Sequence, residues 1–459
     1  MIKNVENFIA DFSTFVWGPP LVFLLIGGGI FLLIYSKFLP FRYLGHAIQV
    51  LRGTYDNPND TGEITHFQAL STALSSTIGM GNIAGVAVAI SVGGPGAMFW
   101  MWMSAIVGMS TKFFTSTLAI MYRGKDSNGD LQGGPMYFIT EGLGKSWKPL
   151  AVIFCVFGMF GALPVVNVNQ LTQAINDIIL VPNGFTISFG TNLTIALLLV
   201  VLTSIIMYGG LKRIGSTAAK MVPSMVLLYF VFVMIILITN YEVVPKYLSM
   251  MVTDAFAADN FKGDPMFGGV LGALILHGVR RGAFSNEAGI GTAALAHGAA
   301  KTEEPVREGL VAMLGPAIDT IVVCTLTALA ILVTGVWETT SDNGVSLTAA
   351  AFGAAMPGIG PYLLMICVFI FSLSSLFSYS YYGTKCLSFL IGSDKKHYYN
   401  YIYILSIILA ATTPFSMMLN FIDGAFALMA IPTMISTFIL APKVIKEIKR
   451  YTQKLKETQ

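Results

Sequence analysis

Apolar residues run in stretches of about twenty along most of this chain, and short clusters of charge, glycine and proline close each stretch. A helix of about twenty such residues spans the ~30 Å hydrocarbon core of a bilayer. The pattern predicts eleven membrane helices, at 15–36, 66–92, 94–121, 149–180, 191–210, 218–240, 268–297, 308–336, 361–391, 398–415 and 417–441. The second and seventh differ from the rest. Thr77-Ile78-Gly79-Met80-Gly81-Asn82-Ile83-Ala84-Gly85 and Arg281-Gly282-Ala283-Phe284-Ser285-Asn286-Glu287-Ala288-Gly289-Ile290-Gly291 set glycines and polar side chains inside apolar runs. Lipid cannot satisfy free backbone N–H and C=O groups, so a helix that breaks at membrane depth must line a protein cavity. Two such breaks at matching places in two halves predict the central site of a transporter.

With the first span set aside, ten remain as five plus five. An odd number per half inverts one half against the other, and each half then begins with a broken helix. The expected architecture is an all-α polytopic membrane protein in four parts. Residues 1–62 hold an extra N-terminal transmembrane helix and an amphipathic interfacial helix, 63–245 a first five-helix repeat, 246–441 an outer loop and a second five-helix repeat, and 442–459 a basic cytoplasmic tail. Leu44, Ile48 and Leu51 give the interfacial segment its apolar face. Lys and Arg recur in alternate loops, from Lys37, Arg42 and Arg52 to Lys395 and Lys396, whereas Lys3, Lys246 and Lys262 fall on the other face. The positive-inside rule therefore puts the N-terminus outside the cell membrane and the C-terminus in the cytoplasm.

Composition excludes an ordinary soluble protein: mean hydropathy is +0.71, with 55% hydrophobic and 11% charged residues. A net charge of +3 says little by itself, and no nucleic-acid partner is expected. Cys155, Cys324, Cys367 and Cys386 sit in or beside apolar runs without CxxC or metal-ligand spacing and read as packing. The spans carry no nucleophile–base set and no metal motif such as HExxH, so no enzyme is expected.

The breaks carry the candidate chemistry. Gly79-x-Gly81-x-x-x-Gly85 has the wrong spacing for a dinucleotide fingerprint. Its glycines suit either a small-residue packing face or a site, and Asn82 favours the site because an amide at bilayer depth needs partners. Freed carbonyls with the Asn82 and Thr77 oxygens suit a hard cation, and half-helix N-termini suit a substrate carboxylate. At the second break, Arg280 and Arg281 read as snorkelling cations paired with Glu287. Phe284 walls the pocket among freed N–H groups. In the fourth span Asn167 and Gln170 share a helix face, as interhelical bonds or as ligand contacts. In the ninth, Ser372, Ser374, Ser375, Ser378 and Ser380 form a hydroxyl-rich run. There Ser374 or Ser375 completes an oxygen cage opposite Gly79 and Asn82, unless the hydroxyls bond back to their own helix. Asp319 and Lys112, each costly alone at mid-span, are expected to pair. Asp126-x-Asn128-x-Asp130 begins like a calcium loop but lacks the required Gly and Glu, at Leu131 and Tyr137, and reads as a turn.

At these residues the chain resembles the alanine or glycine:cation symporter family, the sodium:alanine symporters. The likeness runs nearly end to end, through Gly81-Asn82-Ile83-Ala84-Gly85-Val86, Gly93-Gly94-Pro95-Gly96, Gly133-Gly134-Pro135-Met136-Tyr137, Arg281-Gly282, Phe284-Ser285-Asn286-Glu287-Ala288-Gly289, Asp319-Thr320 and Tyr381-Tyr382-Gly383. It implies a LeuT-type inverted-repeat fold of eleven helices, one of them extra, and sodium-coupled uptake of a small neutral amino acid such as alanine or glycine. Carried over by position, Gly79, Gly81 and Asn82 serve the first broken helix and Gln170 the pocket. Phe284 serves the second broken helix, and Ser375 with Tyr379 the cation site and pocket wall. The chain departs from the family at Met80 and Ser375, where Thr is usual, at Ser378 for Gly, at Tyr379 for Trp and at Thr384 for Glu. Tyr379 is smaller than Trp and adds a hydroxyl, which bears on pocket size. Two rivals stand beside this reading: proton coupling through Glu287 or Asp319, and an ion channel, which needs a continuous polar pore.

Overall fold

The computed structural model describes residues 2–207, 210–257 and 270–458. Lys262 and the first two residues of the seventh predicted span, 268 and 269, lie outside them. Helix α1 (Ile2–Val16) meets α2 (Pro19–Tyr35) at an angle of 49°. Pro19 and Pro20 open α2, where a missing N–H and a fixed φ cost nothing. The first predicted span, 15–36, therefore straddles this bend. Lys3, Asn4, Glu6 and Asp11 hid α1 from the apolar pattern.

Next come α3 (His66–Thr77) and α4 (Gly81–Gly93), bent by 53° at the first break. A capping box starts α3: the Thr65 side chain accepts from the Gln68 N–H while the Gln68 side chain accepts from the Thr65 N–H. Helix α5 (Gly96–Met121) leads to a two-stranded hairpin, Gly124–Lys125 with Leu131–Gln132. Asp126 Oδ1 accepts from the Asn128 and Asp130 N–H groups there, which makes the segment the expected turn. The chain continues through α6 (Lys145–Asn183), α7 (Phe189–Met207) and α8 (Gly210–Thr239). The second half holds α9 (Val270–Asn286), α10 (Thr292–His297), α11 (Pro305–Val333) and α12 (Val345–Ala355). It closes with α13 (Gly360–Ile391), α14 (Tyr398–Thr412) and α15 (Phe415–Thr458).

Among the described residues, α6, α7, α8, α11, α13 and α15 can each cross a membrane by length and composition, and the two bent pairs raise the count to as many as eight. Helix α5 is long enough at 26 residues but carries Ser104, Ser110, Thr111, Lys112, Thr115, Ser116 and Thr117, all buried. Protein surrounds it: α5, α9 and α11 pack on one another, and α13 packs on α3, α6 and α8. By contrast α7 exposes Leu197, Leu198, Val201 and Ile205 along its outer surface, as a helix facing lipid must.

The basic tail is no separate element, because α15 runs unbroken past 441. Its last turns dock on the loop before α11, where Arg450 pairs with Glu304 and Lys454 Nζ lies 2.6 Å from Glu304 Oε1. Partial burial opposes ionisation of Glu304, but the hydrogen bonds and charges of Arg450 and Lys454 outweigh it and hold that carboxyl below its ordinary range.

Candidate functional site

Between α3 and α4 the freed donors are already taken. The Gly79 N–H donates to Asn82 Oδ1 at 3.0 Å and the Met80 N–H to Asn167 Oδ1 at 3.1 Å. Donors released by a helix break need an acceptor when buried, and these two find amide oxygens rather than waiting for a carboxylate. Only glycine fits at 79, since a Cβ there would come within 2.5 Å of Ser375 Oγ and 2.9 Å of Asn167 Oδ1. Across from the end of α3, the Ser374 and Ser375 hydroxyls reach the Ser75 and Ser76 carbonyls at 3.3 and 3.4 Å. Both also bond back to Phe371 O on their own helix. The Thr77 hydroxyl likewise bonds back, to Ala73 O at 3.2 Å.

The second break falls later than the sequence suggests. Helix α9 runs unbroken through Phe284 and Ser285 to Asn286, and the non-helical stretch is Glu287 to Gly291. Glu287, Gly289 and Gly291 have φ of 54°, 85° and 100°. Glycine adopts such values freely, whereas Glu287 carries a strain of roughly 1–3 kcal/mol. Hydroxyls hold its carboxylate in place: Tyr379 donates to Oε1 at 2.6 Å and Thr292 donates to Oε2. The two arginines neither snorkel nor meet Glu287. Both are buried and both reach Asp423 on α15, Arg280 through Nε at 2.8 Å and Arg281 through Nη2. Arg280 also donates to Ser13 on α1 and to Asn420.

One carboxylate on α11 ties the two breaks together. Asp319 Oδ1 accepts from Asn82 Nδ2 at 2.9 Å, and Oδ2 accepts from the Ser285 and Thr320 hydroxyls at 2.7 and 2.8 Å. The expected pairing with Lys112 is not formed. Lys112 is buried beside Gly315, and among the described residues no carboxylate oxygen lies within 4.0 Å of its ammonium. Donors with no charge satisfy Asp319 instead, at a position where an unpaired acceptor would be costly.

Ser76, Thr77, Gly79, Met80, Gly81, Val166, Asn167, Phe284 and Tyr379 line a cavity between the breaks. Its volume of about 10 Å³ admits one water-sized sphere and no amino acid, so the walls must part before a larger ligand enters. Thr77, Gly79, Gly81, Phe284 and Tyr379 thus come together as the sequence suggests. Asn82 stands behind them on Asp319. Gln170 is not among the lining residues: its Oε1 accepts from the Val345 N–H at 2.9 Å, which caps α12, and its Nε2 donates to Asn169 Oδ1. Asn167, one turn earlier, supplies the amide at the cavity. Met80 stood out only as a departure from the family, and Val166 not at all, because an apolar residue in an apolar span carries no mark.

Among known proteins, the family model described as the sodium:alanine symporter family matches residues 2–459. The chain is 39% identical over 447 residues to the sodium/alanine symporter AgcS of Methanococcus maripaludis, covering 96% of each chain. It is 34% identical to two Bacillus subtilis proteins, a probable sodium/glutamine symporter, GlnT, and a putative sodium/proton-dependent alanine carrier protein, YrbD. Those matches cover 99% of this chain and 92% and 94% of the relatives. Among solved structures, MhsT in complex with L-phenylalanine is similar over 84% of this chain and 98% of its own, with a TM-score of 0.58 and 13% identity. At that identity the likeness is one of fold, the LeuT-type arrangement with two broken helices.

Proposed function

The chain belongs to the sodium:alanine symporter family, and from that premise we propose that it couples inward sodium movement to uptake of a small neutral amino acid, alanine or glycine, by alternating access. The cavity between the two breaks carries the reading. Phe284 and Tyr379 are its large walls, and when the walls part to admit a substrate these two rings stand against its side chain, which favours a small one. Neutral oxygens converge beside it, from the Ser75 and Ser76 carbonyls and the Ser374 and Ser375 hydroxyls, which suits a hard monovalent cation without a required proton. Substrate entry from either side requires α3–α4 and α9–α10 to part from α6 and α13, first at one end and then at the other. With the basic loops on the cytoplasmic face, the N-terminus lies outside and the C-terminus inside.

The test is uptake of labelled alanine into proteoliposomes at fixed pH with an imposed sodium gradient, which should drive accumulation. Equal uptake from a proton gradient in sodium-free buffer would overturn sodium coupling. It would favour a second reading, proton coupling at Glu287, whose buried carboxylate is held by two hydroxyls at the break.

A further inference from the structure

Away from the central cavity the described residues enclose a larger chamber, of about 310 Å³, on the side of the basic loops. The hairpin after α5, the start of α8 and the second half of α13 build it, and Glu63, just ahead of α3, closes it. That volume is in the range of small-molecule sites, whereas the central cavity admits a single water. Asp130, Lys396 and His397 are exposed, so one side of the chamber meets solvent.

Several polar groups that line it lack partners. The Gln132 side chain is buried, and its Nε2 donates to Asp126 Oδ2 at 3.1 Å, which turns Oε1 away from that carboxylate. Oε1 has no hydrogen-bond partner, and a buried acceptor without a donor is costly. Asp126 is already bonded through both oxygens, to the Asn128 and Asp130 N–H groups and to Gln132. Lys385 is half-buried, with its ammonium 5.1 Å from the centre of the Tyr381 ring. Glu63, also half-buried, is the acidic group that acts on it most strongly. Yet among the described residues no carboxylate oxygen lies within 4.0 Å of that ammonium, and no cationic nitrogen within 4.0 Å of the Glu63 carboxylate. Opposite charges that share a chamber without touching leave room between them for a ligand that carries both. Met207, Leu211 and Ile214, all buried, give the chamber an apolar side.

We propose that this chamber binds a free α-amino acid with an apolar side chain of the size of leucine, at a site separate from the central cavity. The ligand's ammonium donates to Glu63 and to Gln132 Oε1, its carboxylate meets the Lys385 ammonium, and its side chain lies on Leu211 and Ile214. Leucine is set apart from the small substrates of the central cavity, where Phe284 and Tyr379 stand against a long side chain. Binding here needs no transport, and only the placing of the chamber on the cytoplasmic face rests on the orientation proposed above.

Saturation-transfer NMR of leucine with the purified full chain in sodium-free buffer detects binding as weak as about 1 mM and reads the site without uptake. Leucine should bind wild type, and Lys385→Met and Glu63→Gln should each weaken it about tenfold through loss of a charge-assisted contact. Leucinamide, which lacks the carboxylate, and isocaproate, which lacks the ammonium, should each bind wild type about tenfold more weakly than leucine. Ile214→Trp fills the chamber from its apolar side and keeps every charged group; it is the second variant should Lys385→Met not fold, and it should abolish binding. Absence of leucine binding, equal binding by either analogue, or binding to Lys385→Met or Ile214→Trp as tight as to wild type overturns the proposal. Absence of sodium-driven alanine uptake by wild type would overturn the proposed function and leave the chamber to be judged on leucine binding.

Discussion

Asp319 and Glu308 lie on one helix, eleven residues apart, and each holds the same two broken helices. They do so with different donors. Asp319 accepts from an amide and two hydroxyls, groups that keep their protons at every physiological pH. Glu308 accepts from two imidazoles, the side chain whose charge ordinarily changes between about pH 5 and 8. Burial and geometry are alike at the two places, so the donors decide what each clasp does. At the level of the cavity the cross-link is permanent and shapes a site. At the far ends of α3 and α10 it ties the helix ends to α11.

The largest expected effect tests the permanent clasp. Asp319→Ala takes the carboxylate from the buried Ser285 and Thr320 hydroxyls, at roughly 1–3 kcal/mol for each donor left without an acceptor, and leaves the Asn82 amide on the carbonyl of residue 319. Sodium-driven alanine uptake should be lost and the melting temperature of the purified protein should fall further than in any variant below. Melting at the wild-type temperature would show that the breaks are held by something else.

Next in size is the cation. Ser375→Ala removes one oxygen opposite Gly79, and loss of a charge-assisted contact of roughly 1.5–3 kcal/mol weakens apparent sodium affinity about ten- to hundredfold. Ser375→Thr should retain it. The measurement is the sodium dependence of alanine uptake, and an unchanged curve for the Ala variant removes Ser375 from the site.

Substrate choice should respond more mildly. Tyr379→Ala enlarges the cavity and should admit valine and leucine, while Tyr379→Trp should favour glycine and alanine, with changes of about 1–3 kcal/mol in discrimination. A competition series of glycine, alanine, serine, valine and leucine against labelled alanine reads this. The same rank order in both variants would take Tyr379 out of the wall.

The smallest expected effect completes the contrast. Glu308→Gln should leave both the substrate rank order and the apparent sodium affinity as in wild type. A reordered series would mean that the two levels of α11 are not separable.

The distance over which each force acts explains how far the linear pattern could be read. The bilayer imposes a local rule on every residue it surrounds, so most spans, the two interruptions and their polar residues stand out in the chain itself. Thr77, Gly79, Gly81, Phe284 and Tyr379 could be picked out on that basis and on family likeness, and they meet at one cavity. Helix α1 could not, because it is held by Ser13 and Trp17 against Arg280 and the Asp423 carbonyl rather than by an apolar stretch of its own.

Partner choice was equally out of reach. Asn82 finds Asp319 across 237 residues, Arg280 finds Asp423 across 143, and His66 finds Glu308 across 242. Each polar residue inside the membrane announces that it needs a partner and says nothing of which one. Asn167 and Gln170 share a face one turn apart and were indistinguishable in the chain, yet one reaches the cavity and the other caps α12. Hydrogen bonds act over about 3 Å, so a shift of one helical turn, about 5 Å, settles who bonds to whom, and the packing of all the helices together fixes that shift.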